Sequence, residues 1–135
     1  MSYFDCYLVP VPRAHRAAYE ELARISAGVV RECGALQVVE CWLDESGPEA
    51  ATYHAAEARL ASENYGGFLQ AAGAGAGETV VLSFVEWPDK ATRDAGMEQV
   101  TSDPRMQFMD GPPTFDGRRL IAGGFKPMLK MTHPG

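Results

Sequence analysis

Two segments of this chain are apolar on both sides of an extended backbone, and that limits what it can become. In YFDCYLVPV (residues 3–11), Tyr3, Asp5, Tyr7 and Val9 fall on one face and Phe4, Cys6, Leu8 and Pro10 on the other. In ALQVVECWL (35–43), Leu36, Val38, Glu40 and Trp42 alternate with Ala35, Val39, Cys41 and Leu43. A sheet with one wetted face shows apolar-in, polar-out alternation. These strands do not, so both faces need cover.

The rest of the chain supplies only part of that cover. Pro12 suits the first turn of a helix, where its missing N–H costs nothing. RAHRAAYEELARISAGVVREC follows, with a helical stripe at Ala18, Leu22, Ile25, Val29 and Cys33 and Gly34 as a left-handed cap. ETVVLSFVEWP (78–88) reads as a third strand with Val80, Leu82 and Phe84 on one face. Asp89 caps a helix, DKATRDAGMEQVTS, that closes at Asp103-Pro104, and RLIAGGFKPM supplies a fourth strand. The order is βαβ followed by βαβ, which predicts an α+β chain: a ferredoxin-like βαββαβ sandwich with an antiparallel four-stranded sheet. Two helices cover one face of that sheet and leave the other open.

Residues 44–77 stand apart as an expected flexible excursion within a single domain spanning 1–135. EAATYHAAEARLASEN has the alanine content of a helix. YGGFLQAAGAGAGE resembles a phosphate loop only superficially, because its glycines precede a strand and no GK[ST] occurs. The stretch 66–77 is expected to be the most mobile internal segment, while Tyr53, Tyr65 and Phe68 point to packing as a lid or against a partner subunit.

Composition excludes several roles. With 46% hydrophobic and 22% charged residues the chain has an ordinary globular balance, which argues against disorder. A net charge of −6 repels phosphate backbones, so nucleic acid is not an expected partner. No apolar run approaches the ~20 residues a membrane helix needs. MSYFDCYLVP does not have the form of a signal peptide, and the cytoplasm is the default expectation. Cys6, Cys33 and Cys41 share no CxxC spacing and read as reduced, buried, small hydrophobes.

MSYFDCYLVPVP, GALQVVEC, ETVVLSFVEWP, SDPRM and FDGRRLIAGGFKPM, in this order, resemble the YbaA-like family, a domain family of unknown function. The resemblance covers about residues 1–43 and 78–130. It implies a subunit that dimerises sheet to sheet as a dimeric α/β barrel, the architecture of small antibiotic-biosynthesis-type monooxygenases, and it brings no catalytic residues. This chain departs from the pattern in its long, glycine-rich 44–77 excursion and in Cys6, where glycine is expected. Gly123 and Gly124 in the last strand imply a bulge that curves the sheet, or a close approach of backbone or ligand.

The candidate chemistry lies in polar residues within apolar strands: Asp5, Glu40, Ser83, Glu86 and Arg119. A carboxylate inside a barrel is expensive to bury unless paired or protonated, and such groups gather at functional sites. Asp5 and Glu40 are therefore the catalytic candidates, with Tyr7, Trp42, Ser83 and Arg119 as ligand-binding candidates. The competing reading places the carboxylates at a strand end or rim, or pairs them structurally with Arg118 or Arg119. His15, His54 and His133 are isolated; His54 and Glu57 could share a helix face, but two ligands do not make a metal site. No metal or bound cofactor is expected. Three functions remain: a small homodimeric enzyme acting on a hydrophobic or aromatic metabolite, as an oxygenase or isomerase; a non-catalytic module binding such a ligand; and a structural or stress-related dimer with a filled barrel.

Overall fold

The computed structural model describes residues 1–48, 53, 67–107 and 113–134. Four strands, β1 (Tyr3–Pro12), β2 (Gln37–Trp42), β3 (Glu78–Trp87) and β4 (Ile121–Phe125), form one antiparallel sheet in the order β2-β3-β1-β4. Among the described residues three α-helices accompany them: α1 (Arg16–Glu32), the single turn α2 (Phe68–Ala71) and α3 (Lys90–Ser102). The fold is α+β. None of the helices among the described residues is long and apolar enough to cross a membrane.

Local chemistry sets the boundaries. Asp89 accepts a hydrogen bond from the Thr92 amide at 2.7 Å and caps α3, as its position before the helical pattern predicts. Gly34, with φ +121°, turns the chain after α1. Pro10 and Pro12 lie in an inner strand, where proline is normally excluded. They are tolerated because β4 pairs with β1 only from Phe4 to Leu8, so both prolines fall where β1 has a single neighbour.

Register assigns the two faces. Tyr3–Trp87, Asp5–Val85, Tyr7–Ser83, Val9–Val81 and Val11–Thr79 are opposite pairs whose side chains share the helix-covered side. That side carries the core: Val85 and Trp87 pack with Val29, Val30 and Val100, and Val9, Val11 and Val81 pack with Tyr19 and Ala23. The stripe expected on α1 is turned by about one residue. Ala18 and Ile25 are exposed, whereas Tyr19, Ala23, Val29 and Val30 are buried. A large aromatic ring gains more from burial than an alanine methyl, so Tyr19 fixes the rotation.

The opposite face carries Phe4, Cys6, Leu8, Val39, Cys41, Val80, Leu82, Phe84, Ile121 and Phe125. The described residues outside the sheet cover only its ends. Phe68 of α2 shares a depression with Val80 and Leu82, and Lys130 reaches Glu86 at the other end. Leu82, Ile121 and Phe125 remain 41%, 50% and 57% exposed. Cys41 is likewise exposed, contrary to the expectation of three buried cysteines, because it points to this side from an edge strand.

The glycines of β4 have a simpler explanation than a bulge. Pairing of β4 with β1 is continuous, from Phe4–Phe125 to Leu8–Ile121. The Tyr3 ring lies across Gly124, and a Cβ there would meet its Oη at 1.9 Å. At Gly123 an added Cβ would meet only the Phe125 ring, at an ordinary 3.5 Å. Gly124→Ala is therefore expected to destabilise the fold by about 1–2 kcal/mol by displacing Tyr3, while Gly123→Ala stays within about 0.5 kcal/mol of the parent. Denaturant unfolding of the two variants checks this pair.

Candidate functional site

Register places three of the predicted residues in one row. Tyr7 lies opposite Ser83, and Ser83 lies opposite Glu40, so three adjacent strands present phenol, hydroxyl and carboxylate to the same helix-facing side. Above this row lies a cleft of about 280 Å³, closed by Tyr19, Leu22 and Ser26 of α1, by Met97 of α3 and by Phe115. A second, outer groove of about 320 Å³ runs between α1 and β2 and shares Tyr19, Val38 and Glu40 with the inner cleft. Glu40 thus stands where the two spaces meet.

The polar groups differ in how far they are already engaged. Glu40 accepts a hydrogen bond from the Tyr19 hydroxyl at 2.8 Å and forms no ion pair among the described residues. Glu40 lies on an edge strand and is exposed as a residue, yet its side chain lines the inner cleft beside Tyr19 and Val38, which partly desolvates the carboxyl. This desolvation raises its pKa above 4.5 and outweighs the lowering by the Tyr19 hydrogen bond. Burial, followed by the charge of Asp5, pushes the Tyr7 phenol up to about 12. Tyr19 is raised as well, by burial and then by the charge of Glu40. Both phenols therefore stay protonated and can donate near neutral pH. Neither the Tyr7 hydroxyl nor that of Ser83, a residue only 4% exposed, has a hydrogen-bond partner among the described residues.

Asp5, on the same face two residues from Tyr7, is fully engaged. Its carboxylate accepts from Trp87 Nε1 at 3.1 Å and from Arg93 Nε at 3.0 Å. Its cation comes from α3, where the sequence suggested Arg118 or Arg119. Arg118 instead pairs with Asp116, and Arg119 reaches both carboxylate oxygens of Glu78 at 2.9 Å and the Gly73 carbonyl. Arg119 therefore ties the glycine-rich turn to β3, away from the row. Trp42 stands at the rim of the outer groove, with Nε1 donating to Glu20 at 2.9 Å and the Arg16 guanidinium 4.7 Å above its ring. Glu86 belongs to the opposite face. Hydrogen bonds from Ser2 and Lys130 hold its carboxyl below the ordinary value.

Three contributors escaped the sequence reading. Tyr19 could have been found, since Tyr19, Ala23, Ser26 and Val30 form an i, i+4, i+7, i+11 stripe as regular as the one chosen. Phe115, in ring contact with Tyr19 at 5.8 Å, and Arg93 are brought in by tertiary packing and carry no local signal. Among the described residues, no group of three or more His, Cys, Asp and Glu side chains is placed to hold a metal ion. His54 and Glu57 lie outside the described residues.

The profile of a protein family of unknown function, DUF1428, matches residues 2–117. The chain is a member of DUF1428. The Escherichia coli K12 protein YbaA, described as uncharacterized, is 36% identical over 129 residues, covering 96% of this chain and 98% of that protein. The YbaA proteins of E. coli O157:H7 and Shigella flexneri match to the same extent. In this member of the family the two strand carboxylates have opposite environments, and mutation should separate them. Asp5→Asn, which breaks a buried pair whose Arg93 is one-third exposed, should cost about 3 kcal/mol in denaturant unfolding.

Glu40→Gln should act the other way. The folded-state pKa of Glu40 is raised, so the protonated acid favours the fold. That stability is present below its ordinary pKa of 4.5 and lost as pH rises through the raised folded value. Thermal melts should show Glu40→Gln more stable than the parent at neutral pH, with the gain vanishing near about pH 4.

Proposed function

We propose that this DUF1428 subunit binds a small, largely apolar or aromatic metabolite in the cleft above the Tyr7–Ser83–Glu40 row and acts on it without metal or bound cofactor. The observation that carries this reading is that two hydroxyls without a hydrogen-bond partner and a carboxylate without an ion pair, among the described residues, share the wall of an otherwise largely apolar cleft. Glu40 is the general base. Desolvation brings its pKa closer to neutrality, where a base combines adequate strength with the right protonation state. It removes a proton from an acidic C–H or O–H of the ligand, and Tyr7 and Ser83 donate to the oxygen on which negative charge develops. That proton transfer is the opening step of an isomerisation, and equally of an oxygenation in which the substrate anion itself reduces oxygen. A non-catalytic binding module uses the same cleft without the proton transfer.

The βαβ-βαβ order and the strand order β2-β3-β1-β4 support a ferredoxin-like unit. We further propose that two such units pair through their open sheet faces as a dimeric α/β barrel. The face is four strands wide, about 15–20 Å, and spans roughly 30 Å along the ten-residue β1 and β3 but about half that along β2 and β4. Exposed Met128, Leu129 and Met131 beside it extend the apolar surface toward the ~800 Å² per subunit of a stable interface. Static light scattering should give twice the chain mass of 14.6 kDa at micromolar concentration. Leu82→Asp, on the open face, should shift the protein to monomer, and a folded wild-type monomer would exclude this assembly.

The ligand reading is tested by thermal-shift screening against aromatic and quinone-like metabolites. Stabilisation of the wild type that disappears in Ser83→Leu, which fills the cleft, supports it. No stabilising compound, or one that binds Ser83→Leu equally well, overturns it.

A further inference from the structure

We infer that the cleft selects an uncharged aromatic ligand carrying both a proton donor and a carbonyl-type acceptor, and that it rejects carboxylates and phosphates of the same size. This inference rests on the ligand-binding reading of the cleft and adds to it the charge and functional groups of the ligand.

The argument begins with charge. Glu40 is on the wall, and no Lys, Arg or His stands among the residues that line the cleft. Arg24, which shares the outer groove with Glu40, is exposed and paired with Glu21 at 2.6 Å. Arg93, whose charge is felt at Tyr7, is held by Asp5 and Asp94. Arg16 lies over Trp42, and Arg119 is engaged with Glu78. An anionic ligand in the cleft would face Glu40 with no cation among the lining residues to offset the repulsion.

The second part is hydrogen-bond complementarity. Among the described residues the row offers the Glu40 carboxylate, which can only accept, and the unengaged hydroxyls of Tyr7 and Ser83, which can donate. Adjacent strands are about 4.8 Å apart, so the acceptor and the nearer donor, Ser83, are separated by about one strand spacing. A ring bearing a hydroxyl and, a few ångströms away, a carbonyl satisfies both ends at once. A ligand lacking the donor leaves Glu40 unsatisfied by any new partner, and one lacking the acceptor leaves buried Ser83 as it was. The remaining walls, from Tyr19, Val38, Met97 and Phe115, are apolar or aromatic and fit the ring.

Three compounds of one skeleton separate the contributions: 3′-hydroxyacetophenone, acetophenone and 3-hydroxybenzoate. Binding is followed at pH 8 by NMR titration of the full chain, with the tyrosine ring signals reporting on the cleft. The hydroxyketone is expected to bind at least tenfold more tightly than the hydroxybenzoate and several-fold more tightly than acetophenone. Glu40→Gln, which removes the charge and keeps the volume, should narrow the gap between the hydroxyketone and the hydroxybenzoate to a few-fold. Hydroxybenzoate binding as tightly as the hydroxyketone, or a gap that Glu40→Gln leaves unchanged, overturns the selectivity while leaving the cleft as a ligand site. If none of the three perturbs the tyrosines of the wild type, the selectivity and the ligand reading beneath it both fail.

Discussion

The Trp87 indole is fully buried, and its N–H must find an acceptor inside the protein. Asp5, two strand positions away on β1, is that acceptor, and a carboxylate placed there needs a cation in turn. Arg93 supplies it from α3. This chain of requirements fixes α3 over one end of the sheet. Gly96 completes the contact, since a Cβ there would stand 2.6 Å from both the Trp87 ring and the Cys33 carbonyl at the end of α1. Arg105 adds an outer clamp, pairing with Asp103 after α3 and Glu32 at the end of α1. At this end the layers are packed and their polar groups satisfied.

Two residues further along β1 the situation changes. Tyr7, Ser83 and Glu40 form a row as regular as Tyr3 and Trp87, yet among the described residues only Glu40 has a hydrogen-bond partner, and that partner is another side chain of the cleft wall. Two carboxylates in similar apolar strands thus have different fates. Asp5 is bound by a guanidinium and an indole N–H, whereas among the described residues the Glu40 carboxyl meets a phenol. Environments that treat two acids differently are how one fold separates structural from chemical roles. The uncovered sheet face poses a separate demand, because its exposed apolar surface belongs to β1, β3 and β4 together and no helix of the described chain lies across its centre.

Much of the fold was legible in local chemistry. Strand and helix order, the Asp89 cap, the Gly34 turn and the two-sided apolar character of β1 all follow from a few neighbouring residues, because caps, turns and period-two patterns act over distances shorter than one element. The same locality explains the errors. Two helical stripes competed on α1, and only contact with the sheet selects the one containing Tyr19. Gly123 and Gly124 look alike in sequence; what separates them is a Tyr3 ring from another strand. The candidate site was half legible: polar residues inside apolar strands identified Asp5, Glu40 and Ser83, but nothing local distinguishes a paired carboxylate from an unpaired one.

By itself, then, the sequence determined the four strands and two long helices, their order, the two-sided apolar character of β1 and membership in a family. Tertiary structure alone decided the register that aligns Tyr7, Ser83 and Glu40, and the choice of Arg93 over Arg119 as the partner of Asp5. It also decided which of two helix faces is buried. The reason is physical: local elements are specified by interactions among residues a few positions apart, whereas charge pairing, desolvation and shared clefts depend on groups 20 to 90 residues apart that meet only when the sheet and helices are stacked, as Asp5 and Arg93 do across 88 positions.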